Sequence, residues 1–133
     1  MTDYSIQHDF EISVPGYEEI IPVYEGGICK KHIKGAYRAI ESFLPIGNGT
    51  VIVHSNKQYK SIYEIGFTQI LVLKDKVGQE FKYVVVGKEV VNLQIDRILV
   101  NSGKREIKIA MPFPLYGFPE FSDYHLVVSG VIL

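Results

Sequence analysis

Ile33-Lys34-Gly35-Ala36-Tyr37-Arg38-Ala39-Ile40-Glu41-Ser42-Phe43-Leu44 is the stretch on which the fold reading turns. Its apolar members Ile33, Ala36, Tyr37, Ile40, Phe43 and Leu44 recur three or four residues apart, the period of one helical face. Lys30, Lys31, Lys34, Arg38 and Glu41 take most of the remaining surface. Pro45 disfavours helical backbone at the residue before it, and Gly47-Asn48-Gly49 completes the break. The spacing predicts one long helix over residues 28–44.

Outward from that stretch the chain reads as strand. Before it, Phe10, Ile12 and Val14 alternate with Glu11 and Ser13, the pattern of a half-buried strand, and Pro15-Gly16 ends it. Ile20 to Tyr24 reads as a short second strand that Pro22 demotes to an edge or a connector. After the helix come Val51 to His54, then an ambiguous stretch at 59–65. Gln69 to Lys74 and Phe81 to Val86 form a hairpin through Asp75 to Glu80. Val91, Leu93 and Ile95 alternate with polar neighbours, and the parity flips at Arg97, as a bulge would make it. Ile107, Ile109 and Met111 mark a returning strand, and Tyr124 to Leu133 a final, strongly apolar one.

Composition narrows the class without naming a chemistry. The 133 residues suit a single domain over 1–133, and the formal net charge of −1 argues against general nucleic-acid or polybasic membrane binding. Cys29 is the only cysteine, so no internal disulfide forms, and a free thiol suits a reducing, cytoplasmic setting. No apolar run approaches the roughly 18 residues of a membrane span, and Met1 to Phe10 has no signal-peptide pattern.

Two features point toward binding. Pro112 to Asp123 holds three prolines and four aromatics, Phe113, Tyr116, Phe118 and Phe121. Proline lowers the ordering cost of presenting those rings as interface anchors. The second is Gly26-Gly27 leading into a helix start with Lys30, Lys31 and Lys34. Free N–H groups there favour an anion, so Gly27, Lys30, Lys31 and Lys34 form a candidate phosphate or carboxylate site. The spacing matches neither a P-loop nor a dinucleotide fingerprint. Cys29 and His32 stand close enough to share a helical face, but no flanking signature marks a thiol-histidine catalyst. His8, His32, His54 and His125 lie on separate elements, so no metal site and no cofactor are expected.

These readings combine into an α+β fold: one long helix packed on a curved antiparallel sheet of about six strands. Its element order resembles cystatin-like and hotdog-like topologies. The function expected first is a non-catalytic binding or assembly module, its partner a second copy or another protein. It would act through the aromatic-proline arm (112–123) and the apolar C-terminal strand. The alternative is a small hotdog-like enzyme or ligand binder holding an acyl or phosphorylated small molecule at residues 26–34.

Overall fold

Strand pairing, not a helix, organises this protein. In the computed structural model, which describes residues 9–25, 35–38, 42, 44–55, 57–92, 102–113 and 124–133, eight strands close into a barrel. They are β1 (Phe10–Ser13), β2 (Ile20–Glu25), β3 (Ala36–Arg38), β4 (Val51–Ser55), β5 (Ile70–Asp75), β6 (Glu80–Asn92), β7 (Glu106–Pro112) and β8 (Tyr124–Ile132). The order around the barrel is β1-β2-β3-β4-β7-β8-β6-β5. One short helix, α1 (Lys60–Glu64), precedes β5.

The expected α+β fold is therefore corrected to an almost all-β barrel, with no helix of seven or more residues among the described residues. The reason sits in the deciding stretch itself. Gly35 has φ +131°, outside the helical region, and Ala36 is tied on both sides, to Val23 of β2 and Ser55 of β4. A side chain at Gly35 would put its Cβ 2.6 Å from the Tyr59 hydroxyl, so only glycine fits. The apolar stripe is not one buried face either: Ala36 is buried, but Leu44 is 47% exposed. The rest of the predicted helix, including Ile33, Ile40 and Phe43, lies outside the described residues.

Elsewhere local pattern and structure agree. Phe10, Ile12 and Val14 of the first strand point into the core. β5 and β6 form the expected hairpin, closed by Asp75, whose Oδ1 accepts the N–H groups of Val77 and Gln79, with Gly78 at φ +88°. β2 is not an edge, since it pairs with β1 and in parallel with β3. A bulge does occur in β6, between Val85 and Gly87; the one expected at Arg97 falls outside the described residues.

The barrel interior is filled by alternate residues of every strand, among them Ile12, Val23, Val53, Leu71, Tyr83, Ile107 and Leu126. α1 closes the end where β4, β6 and β7 finish, sending Ile62 and the following Ile65 into the core. Its own N-cap, Tyr59, offers no side-chain bond. Glu19 replaces it from the β1–β2 connection, its Oε1 accepting the Ser61 N–H at 2.9 Å and the Ser61 hydroxyl at 2.5 Å. Glu19→Ala should cost about 1–2 kcal/mol, the usual worth of a helix cap. A lower urea midpoint with an unchanged slope would record that loss.

Tyr83 lies deep in this core, and burial pushes its pKa up to about 12, with the Arg105 charge pulling partly back. The folded value exceeds the unfolded value of 10.0, so the stabilisation is complete below pH 10 and fades as pH rises toward about 12. Two units correspond to about 2–3 kcal/mol. Tyr83→Phe should flatten most of that alkaline decline in a pH series of urea melts; an unchanged decline would place the titration elsewhere.

Candidate functional site

Alternation along β4 sends Val51, Val53 and Ser55 inward and leaves Ile52 and His54 on the outside of the barrel. The same parity in β7 turns Ile107, Ile109 and Met111 inward and Lys108, Ala110 and Pro112 outward. Register then sets one lateral row across the outer face: Tyr37 opposite His54, His54 opposite Ala110, Ala110 opposite Val127, and Val127 opposite Glu89. Five strands thus contribute one residue each.

Within that row the chemistry concentrates at His54. Its half-buried ring stacks on Tyr37, with centroids 5.8 Å apart and planes 18° from parallel. Stacking limits the orientations the imidazole can take without removing its nitrogens from use. Beside it, the small Ala110 is fully buried on the outer face between β4 and β8. Val127 and Val91 join Ala110 in a second apolar cluster, separate from the barrel core. His125 stands on the same face, opposite Pro112 and Val91. An imidazole can move protons near neutral pH, and this one stands beside apolar residues. Among the described residues no group of three or more His, Cys, Asp or Glu could hold a metal ion.

An apolar cavity lies elsewhere, where β1, β4 and β6 begin. It has about 330 Å³, lined by Phe10, Leu44, Pro45, Ile46, Val77 and Phe81. Its charged rim is internally satisfied. Lys76 pairs with Asp9 at 2.6 Å, and Asp75 closes its own turn.

The residues singled out from sequence mostly lie away from this row. Phe113 packs half-buried against the core and stacks on Tyr63, with centroids 5.8 Å apart. Tyr116, Phe118 and Phe121, and likewise Gly27, Lys30, Lys31, Lys34, Cys29 and His32, fall outside the described residues. Sequence reading passed over His54 because a lone histidine ending an apolar strand carries no motif. Its partners are supplied by strands distant in the chain.

No protein-family model matches the sequence, and no functionally curated protein does. Solved structures do match. Sortase A from Corynebacterium diphtheriae superposes with a TM-score of 0.76 at 17% identity, over 95% of this chain and 60% of that one. Sortase C-1 from Actinomyces oris gives 0.76 at 18%, over 98% and 75%. The catalytic domain of B. anthracis SrtD gives 0.75 at 11%, over 100% and 92%. This chain thus spans about three fifths of the length of the Corynebacterium diphtheriae enzyme.

These findings overturn both functional expectations. The non-catalytic binding module needed an available C-terminal strand, but β8 is spent inside the barrel between β6 and β7. The hotdog-like enzyme needed a long helix for its sheet to wrap, and there is none among the described residues, which close into a barrel instead. The α+β class and the expected protein-binding role fall with them. Among the described residues no helix is long and apolar enough to cross a membrane. What the comparisons establish is the fold: an eight-stranded sortase-type barrel.

Proposed function

We propose that this chain is a sortase-type transpeptidase that acts on peptides across the outer face of β3, β4, β7 and β8. The observation that carries the reading is His54, held against Tyr37 beside the small Ala110 on a barrel of sortase shape. Sortases are cysteine transpeptidases. In such chemistry a thiolate attacks the scissile carbonyl carbon, and the C–N bond breaks as an imidazolium protonates the departing amine. An incoming amine then attacks the thioester, gives its proton to the imidazole and restores the thiolate. His54 is the proton carrier in this scheme. The row around it holds no thiol, so this reading takes as its nucleophile Cys29, the one thiol of the sequence, which lies outside the described residues. A reducing compartment keeps that thiol free, and the cytoplasmic placement read from the sequence meets this requirement.

The test is acyl transfer from a mixture of capped peptides to hydroxylamine, with peptide hydroxamates read by mass spectrometry. Wild type should form them, and Cys29→Ala or prior alkylation with iodoacetamide should abolish them. No hydroxamate from wild type would sink the transpeptidase reading. Equal yield from Cys29→Ala would remove the thiol step.

A further inference from the structure

β6 is the longest of the described strands, and its two ladders overlap only at Tyr83 and Val84. β5 covers Glu80–Val84, whereas β8 continues to Asn92. Which main-chain groups point where follows from the ladder. Leu133 N–H bonds to Lys82 O, so Lys82 faces β8, and Val85 faces the β5 side through its bonds with Thr68 and Gln69. The bulge at Val85/Gly87 adds one residue, so that beyond it Gly87, Glu89 and Val91 face β8. On β8 the bond from Phe113 N–H to Tyr124 O turns Tyr124 toward β7, and hence His125 toward Val91, which gives the same phase. Lys88 and Val90 therefore aim their N–H and C=O groups away from β8, at an edge where no described residue bonds them. Val90 is also 43% exposed, and Glu89 is exposed between them. The Lys88 ammonium is engaged with the carbonyls of Tyr63 and Ile65, which leaves its main chain at the edge.

We propose that the Lys88–Val90 edge of β6 takes up an extended peptide segment as an added antiparallel strand, through main-chain bonds to Lys88 and Val90. The segment places a basic residue opposite Glu89 and apolar residues opposite Lys88 and Val90, because directly opposed side chains share a face. A second copy of this edge fits worse. Two-fold pairing centred on Lys88 or Glu89 sets like charges face to face. The same charges make the edge selective. This inference stands independently of the transpeptidase reading.

Amide hydrogen exchange by NMR tests it on the wild-type protein, with acetyl-Thr-Val-Arg-Val-Thr-amide as probe. In the free protein the Lys88 and Val90 amides should exchange at least about tenfold faster than those of Glu89 and Val91. Saturating peptide should slow Lys88 and Val90 by about tenfold, and the analogue N-methylated at both valines should not. Equal protection of all four amides without peptide would overturn the open edge. No slowing with peptide, or equal slowing by the methylated analogue, would overturn strand addition. Protection that rises with protein concentration alone would assign the edge to self-pairing and overturn the peptide. Val90→Pro removes an edge donor without touching the β8 ladder, and should abolish the slowing at Lys88 while the fold persists.

Discussion

His54→Ala should lower acyl transfer by about 10²–10⁴-fold, the usual worth of a positioned general acid–base group. The imidazole has two duties in the proposed cycle, protonating the leaving amine and accepting the proton of the incoming one, and alanine can do neither. His54→Gln keeps a polar group of similar reach and should fail almost as badly, because an amide does not exchange protons near neutral pH. Tyr37→Phe preserves the stacked ring and should leave the rate near wild type, whereas Tyr37→Leu frees the imidazole to turn and should lower it. His54 points outward and is only half-buried, so the loss should come without unfolding. The decisive comparison is kcat/KM beside a urea melt for each variant. A His54→Ala protein that transfers at the wild-type rate would remove this residue from the chemistry.

Ile107→Ala should remove about 2–5 kcal/mol of stability, a large share of the 5–15 kcal/mol typical of a domain. Ile107 has no exposed surface and faces Gly130 across the β7–β8 pair, at the seam where β6, β7 and β8 pack most closely. Gly130→Ala should cost about 1–3 kcal/mol for the opposite reason, overfilling. A Cβ there would stand 3.1 Å from Tyr83 Cβ, 3.2 Å from Val84 O and 3.3 Å from Ile107 Cγ2. Trimming Ile107 relieves only the last of these contacts, and the backbone oxygen of Val84 is fixed in its ladder. The double variant should therefore be less stable than either single one. A double variant as stable as Ile107→Ala alone would mean that β8 can shift to make room.

Much of the barrel was readable one strand at a time. Phe10, Ile12 and Val14 alternate visibly, Asp75 and Gly78 announce their turn, and Ile107, Ile109 and Met111 share one face, because those signals need only neighbouring residues. The partners of each strand were not readable. β2 lies parallel to β3, thirteen positions on, and β4 parallel to β7, fifty-six positions on. The candidate site suffered most, since Tyr37, His54, Ala110 and Val127 meet only after those pairings form. The rings of Phe113, Tyr116, Phe118 and Phe121 drew attention by composition, yet Phe113 proves to pack against Tyr63.

By itself the sequence determined where strands run, which side of each is apolar, where the β5–β6 turn closes, and that one thiol is the only one available. Those properties depend on side-chain alternation and turn chemistry, which act over a few residues. Tertiary structure decided the deciding stretch. Ala36 to Arg38 carries a helical period, but pairing on both flanks satisfies its main-chain groups more completely than an isolated helical turn, and the Tyr59 hydroxyl holds the space beside Gly35. Closure of the barrel also brought His54 to Ala110. Both outcomes rest on contacts distant in sequence, which no local period encodes.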